Sequence, residues 1–316
     1  MDELLGYPTE FQPCRVRIGL DPEQLDYFEA GVSNAARQGF RTERLDPKQV
    51  NELVPLTGPD VAGGVFFHFG GHANPHRTVQ AYAWALQDLG GRIRQHTPAT
   101  GLRTAGGRVV GVTTAGGELG CDHLVIAAGP QTGELAARLG VDLPLGYARA
   151  EILVTEPLPL MRYGGSDGNG LYGRQTLRGN LAYGGGPHEW LADPAVGARP
   201  ASTPLTRNIA GRLAELFPKA AHARVIRSWA GIIENTPDGR PVIERLEAPG
   251  NVVVATLSSV GFGLSPASGR AIAELVTDGR CSFADLSTFA LARFRGLPPD
   301  WREHRGWLPA PAATAG

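Results

Sequence analysis

The chain has little cysteine, almost no net charge and no long apolar run. Cys14, Cys121 and Cys281 are an odd number of widely spaced thiols in 316 residues. That pattern excludes a disulfide framework and matches no zinc-ligand spacing, and it leads us to expect a reducing cytoplasm. Lysine and arginine number 30 against 31 aspartates and glutamates, a net charge of −1. With no basic block anywhere, neither nucleic acid nor an anionic membrane is an expected partner. The longest apolar runs are strand-length, so no transmembrane segment is expected. The acidic start Met1-Asp2-Glu3 is not a signal peptide. No G-x-S-x-G nucleophile elbow, P-loop, H-E-x-x-H or C-x-x-C is read in the sequence, which leaves hydrolase and kinase readings without support. Glycine and proline, by contrast, are plentiful at 43 and 25, as in a fold of many loops and hairpins.

Helical and extended periodicities alternate along the chain. Asp21–Gln38 reads as a helix with Pro22 in its first turn, and Asp46–Val54 as a short helix ended by Pro55. Val65–Phe69 is an apolar strand between glycine pairs. Pro75 opens a helix that carries Val79, Tyr82, Ala83, Leu86 and Leu89 at helical spacing. Arg92–Gln95 and Gly101–Val112 read as strands of a hairpin layer, and Asp122–Ala128 as a buried strand ending at Gly129-Pro130. Tyr147–Thr155 and Asn180–Gly185 suit a second, antiparallel sheet; Leu205–Leu216 is a helix. From Pro298 the sequence P-P-D-W-R-E-H-R-G-W-L-P-A-P-A-A-T-A-G lacks periodicity, and a disordered tail over 298–316 is expected.

The richest segment is Arg227–Val276. It reads as the turn Thr236-Pro237-Asp238-Gly239, the apolar strand Asn251–Leu257, the glycine-rich Gly261-Phe262-Gly263-Leu264, and a helix from about Ser268. A strand apolar on both faces belongs inside a layered α/β sheet. Glycines after it let backbone N–H groups approach a ligand, and the helix N-terminus favours a carbonyl oxygen or an anion. This run resembles the C-terminal part of the D-amino-acid oxidase-like FAD enzymes, which include glycine oxidase, sarcosine oxidase and the flavin subunits of amino-acid and opine dehydrogenases. The resemblance extends to Gly71-His72-Ala73-Asn74-Pro75, to Gly107–Thr114 followed by Cys121–Pro130, and to Tyr172-Gly173-Arg174-Gln175-Thr176.

What the resemblance implies is a mixed α/β fold. A glutathione-reductase-like FAD-binding sheet domain (71–145 and 236–290) would be interleaved with an antiparallel-sheet α+β substrate domain (1–70 and 146–235). It implies FAD as cofactor, held by His72, Ala128, Gly129, Gly231, Gly261, Phe262, Gly263 and Leu264. The substrate would be a small amino acid or amine, namely a D-amino acid, sarcosine, glycine or a proline-like compound, whose C–N bond is oxidised by hydride transfer. Tyr172 and Arg174, two apart on one strand face, are candidates for its carboxylate, since a guanidinium fork and a hydroxyl suit that group. A solvated strand face is the competing reading. Glu234 is a candidate for the amine or for capping a turn. Ile233 stands where related oxidases carry a carboxylate-binding arginine, and no lysine lies near Gly263.

The family's opening strand, G-x-G-x-x-G turn and helix have no counterpart in the sequence. Gly168-Asn169-Gly170-Leu171-Tyr172-Gly173 matches the letters, yet no apolar strand precedes it and a strand and turn follow. An N-terminally truncated chain is therefore expected, with the first βαβ unit missing. The alternative to an active oxidoreductase is a non-catalytic remnant or a partner-dependent subunit, the partner supplying the FAD-binding unit or accepting electrons. His68, His72 and His76 have i, i+4, i+8 spacing, but Gly70, Gly71 and Pro75 break any helix that would align them for a metal.

Overall fold

The computed structural model describes residues 1–186, 188–192, 200–298 and 300–303. The chain divides into two compact units. One comprises Met1–Ile93, Ala150–His188 and Arg199–Gly231; the other comprises Arg94–Arg149, Glu189–Ala198 and Ile232–Gly316. The tail expected over 298–316 lies, from residue 304, outside the described residues; Trp301–Glu303 form a single 3-10 turn. Among the described residues no helix is long and apolar enough to cross a membrane.

The first unit is built on a mostly antiparallel sheet. Its strands lie in the order Gly146–Pro157, Asn180–Gly185, Leu171–Gln175, Ser166–Gly168, Gln12–Gly19, Gly63–His72, Thr42–Leu45; of these neighbours Ser166–Gly168 and Gln12–Gly19 pair in parallel. Alternation decides the faces. Val16, Ile18, Leu153, Leu181 and Tyr183 point to one side, where they bury against Ile209, Leu213 and Leu216 of the Thr203–Leu216 helix and against Val50 and Val54. Each such side chain contributes about 1.5–3 kcal/mol on burial, which fixes the register. The Pro47–Leu53 helix starts with a capping box, Asp46 accepting from Gln49 and the Gln49 side chain returning to Asp46. The Pro22–Arg37 helix has Pro22 in its first turn and Asp21 as N-cap, and sets Phe28 and Val32 on Val65.

The second unit is layered. Val252–Thr256 is the middle strand of three, parallel to Leu124–Ile126 and antiparallel to Val242–Arg245. It is buried on both faces, as its unbroken apolar run requires. Val252 and Val254 join Ile126, Ala136 and Val109 on one side; Val253 joins Ile243 and Leu275 of the Gly261–Thr277 helix on the other. A meander of Ala99–Ala105, Arg108–Thr114 and Gly117–Gly120 supplies Val109. Buried Asn251 stitches it down: its amide donates to the carbonyls of Val109 (2.7 Å) and Asp122 (2.8 Å) and accepts from the Val109 N–H. Arg92–Gln95 forms no strand, contrary to the sequence expectation; the chain there has no ladder partner to satisfy its amides.

Candidate functional site

In the second unit, the carboxyl ends of the two parallel strands carry the polar groups, where open α/β sheets offer ligand sites. After Leu124–Ile126 the chain turns at Gly129 (φ 56°), and the Ala128 N–H donates to the Thr132 hydroxyl (2.9 Å). Glu234 joins both strand ends. The Thr256 hydroxyl donates to one of its oxygens (2.9 Å), and a Cβ on Gly129 would lie 3.9 Å from the other. Beyond Thr256, Ser258 and Ser259 both adopt left-handed backbone, φ 49° and 60°. Such conformations cost about 1–3 kcal/mol each and persist only where the surroundings impose them. Here the Thr236 N–H donates to the Ser258 hydroxyl oxygen and the Ser259 hydroxyl to Asn235 Oδ1, each at 3.0 Å.

The Ser258–Ser259 turn launches the helix at Gly261, not near Ser268 as the sequence suggests. Pro266 reads as a helix breaker, and its missing N–H does strip the Phe262 carbonyl of a helical partner. The Ser265 hydroxyl donates to that carbonyl instead (3.0 Å), so the helix survives. The glycine-rich segment is thus the helix's first turn. It has no side-chain cap, and Phe262, Gly263 and Leu264 are exposed; the Leu264 N–H donates to the Val260 carbonyl (3.3 Å), which leaves the N–H groups of Gly261, Phe262 and Gly263 open to a ligand. Gly231 is exposed on the Val225–Asn235 strand, with no atom within 4 Å of a Cβ built on it.

The first unit gathers a different set on the sheet face opposite its core. Tyr172 and Arg174 do share that face: Leu171 and Gln175 are buried while Tyr172 is 45 % exposed and Arg174 half-buried. Arg174 makes no hydrogen bond or ion pair among the described residues. Burial pulls its pKa down from the usual guanidinium value, and the charge of Glu10 raises it in part. Glu10 is itself held by Asn74 (2.9 Å) and lies 3.6 Å from Arg77. A desolvated guanidinium without a counter-ion is costly, and a ligand carboxylate would relieve that cost.

His72 reaches the same face through irregular backbone. Cys14 (φ 71°) bulges from Gln12–Gly19, while Gly70 and Gly71 (φ 74° and 145°) kink the facing strand. A Cβ on Gly165 would come within 2.8 Å of His72 Nδ1, so the imidazole occupies the space that glycine leaves. Nδ1 is buried without a hydrogen-bond partner. Desolvation, with the positive charge of Arg174 adding to it, lowers the His72 pKa to about 4, which keeps the ring neutral near pH 7.

Three motif readings are resolved by geometry. Asn169 (φ 51°) and Gly170 (φ 70°) form the two-residue turn between Ser166–Gly168 and Leu171–Gln175, so the literal G-x-G-x-x-G is a hairpin and not a phosphate loop. A literal G-x-S-x-G, Gly164–Gly168, escapes the sequence reading; Ser166 is fully buried and donates to the Tyr163 carbonyl (2.9 Å), which is no exposed nucleophile. His68 pairs with Glu43 (3.1 Å), and among the described residues no group of three His, Cys, Asp or Glu side chains could hold a metal. Sequence reasoning also misses Arg15, Arg17 and Asp167, which share a cleft with Tyr172. The signal was available: Arg15-Val16-Arg17-Ile18 alternates with the period of a strand.

The model of the DAO family, FAD dependent oxidoreductase, matches residues 1–275. The chain is 32 % identical to the sarcosine oxidase subunit beta of Rhodobacter capsulatus over 92 % of its own length and 71 % of that protein. It is 29 % identical to the glycine oxidase of Geobacillus kaustophilus, over 82 % of this chain and 67 % of that one. Its fold is that of L-proline dehydrogenase from P. horikoshii, with a TM-score of 0.83 and 23 % identity over 93 % of this chain and 79 % of the other.

Proposed function

Because the chain belongs to the FAD dependent oxidoreductase (DAO) family, we propose that it oxidises the C–N bond of an amino acid or secondary amine, its substrate being of the D-amino acid, sarcosine, glycine or proline-like class. The first unit is the substrate domain and the second the FAD-binding part; residues 71–93, expected from the sequence in the FAD-binding domain, cluster with the first unit. The observation that carries the reading is Arg174, half-buried, with no hydrogen bond or ion pair among the described residues, and beside Tyr172 on the sheet face opposite the core.

The residues present fit a flavin. At the uncapped helix start Gly261, Phe262 and Gly263 offer backbone N–H groups to the carbonyl oxygens of the ring, with the exposed Leu264 beside them and Ala128, Gly129 and Gly231 supplying close backbone approach. Bound FAD supplies the acceptor for a hydride. The chain's own residues do the rest. Arg174 and Tyr172 bind and orient the substrate carboxylate. His72, neutral at physiological pH, adds no positive charge beside Arg174 and stands ready to hydrogen-bond a ligand, as expected of a cofactor contact. Glu234 keeps one oxygen on Thr256 and offers the other to an N–H of the substrate or the flavin. Loss of the hydride from the α-carbon and of a proton from nitrogen turns C–N into C=N, and water then hydrolyses the imine. The test is anaerobic reduction of chain-bound flavin by a panel of D-amino acids, sarcosine and proline analogues; if none bleaches it, the reading fails.

One observation favours a partner-dependent form of this reading. Val79, Leu86 and Leu89 are 66, 47 and 88 % exposed. They lie along one stripe of the Pro75–Asp88 helix and its end. An exposed apolar stripe of this kind marks a surface that another chain covers. The relative from R. capsulatus is itself named a subunit. Light scattering of the chain alone and co-expressed with its genomic neighbours tests this: a chain that stays a monodisperse monomer in both preparations would refute it.

A further inference from the structure

Arg174 is not alone on its sheet face. The registers place Arg17 beside Asp167 and Leu171 beside Gly168; the ladder continues through Val16 N–H to Gly165 O (2.9 Å) and Gln175 N–H to Gly164 O (2.8 Å). Two rows therefore cross the three strands: Tyr172, Asp167 and Arg17 in one, Arg174, Gly165 and Arg15 in the other. The face opens into a cleft of about 590 Å³ lined by Arg15, Arg17, Asp167, Tyr172 and Phe28.

Asp167 is only 5 % exposed. Arg15 takes one of its oxygens; Arg17 Nε lies 3.5 Å from the other, and among the described residues Arg17 makes no hydrogen bond and that buried oxygen finds no donor. At the buried floor of the cleft one carboxylate thus faces two arginines. The other two carboxylates that line the cleft, Asp21 and Glu23, are exposed at its rim, and Asp21 spends both oxygens on Gln24 (2.8 and 2.9 Å) as the cap of the Pro22–Arg37 helix. The Arg17 guanidinium rests 5.0 Å from the Phe28 ring centroid, which steadies it while its N–H groups stay free.

We propose that Arg17, steadied by Asp167 and Phe28, is a second anion-recognition centre, and that the preferred substrates are amino acids or secondary amines carrying a second carboxylate. This rests on Arg174 reading the first carboxylate. Two strands and two residues separate Arg17 from Arg174, a Cα span of about 12 Å. Two arginine side chains bridge such a span with a short diacid between them.

Calorimetric titration of the FAD-supplemented chain with glutarate and butyrate tests this without turnover. Glutarate should bind about tenfold to a hundredfold more tightly than butyrate, as one added charge-assisted contact implies. Arg17→Gln should bring that ratio close to one, Arg17→Lys should keep part of it, and Arg174→Gln should weaken both acids. A wild-type ratio near one overturns the proposal, as does a ratio that persists in an Arg17→Gln variant with the wild-type unfolding midpoint. Should that variant fail to fold, the wild-type ratio and Arg17→Lys still decide. If butyrate binds in an Arg174-dependent way and glutarate gains nothing, the second centre falls and the Arg174 reading stands. If neither acid binds, both fall.

Discussion

Replacing Arg174 by methionine should move function and stability in different directions. The side chain is half-buried, burial opposes its charge, and no hydrogen bond or ion pair holds it among the described residues. Removing it from the free protein therefore breaks nothing, and methionine keeps the apolar stem packed. The unfolding midpoint in urea should stay the same or rise. In the complex the same change removes a charge-assisted contact of about 1.5–3 kcal/mol to the substrate carboxylate. That weakens substrate binding by about tenfold to just over a hundredfold. Stopped-flow anaerobic reduction of the bound flavin separates the terms: the substrate concentration for half-maximal rate should rise much more than the limiting rate falls. A midpoint that drops by as much free energy as binding loses would make Arg174 a structural residue and refute the reasoning.

Protonation of His72 should destabilise the first unit. Its pKa is lowered from 6.5 to about 4, so the unfolded chain takes up a proton that the folded one refuses, and stability falls as the pH drops from about 6.5 towards 4. His72→Gln should flatten that slope in urea titrations at pH 7 and 5; equal losses in both proteins would contradict the assignment. Gly165→Ala puts a methyl 2.8 Å from His72 Nδ1 and 3.2 Å from the Cys14 carbonyl, and should cost about 1–3 kcal/mol of stability and weaken carboxylate binding. An unchanged urea midpoint would mean the imidazole moves aside freely. Gly263→Ala meets nothing within 4 Å and should stabilise its helix by about 0.5–1 kcal/mol. If the flavin ring approaches that backbone, FAD affinity should nevertheless fall, and a fluorescence titration showing no change would remove Gly263 from the site.

What the sequence made legible was local. Asp21 with Pro22 and Asp46 with Pro47 mark helix starts through contacts within four residues. The Val252–Thr256 strand is legible because burial on both faces demands an unbroken apolar run. Tyr172 and Arg174 share a face by the two-residue period alone. The rest depends on distant partners. His72 meets Gly165 only because Cys14, Gly70 and Gly71 bend two strands together, and no spacing announces that. The helix start at Gly261 was hidden by Pro266, whose effect a neighbouring serine hydroxyl offsets. Asp167 looks like a turn residue in sequence and becomes a buried counter-ion once Gln12–Gly19 lies beside it.

The most direct measurement is the visible spectrum of the purified chain, after FAD is added and the excess removed, followed anaerobically as an amino acid or secondary amine is introduced. The account predicts a retained flavin spectrum that bleaches with at least one substrate and does so far more weakly in Arg174→Met. A flavin that stays bound and oxidised before every such compound, or a soluble, folded chain that retains none, would contradict it.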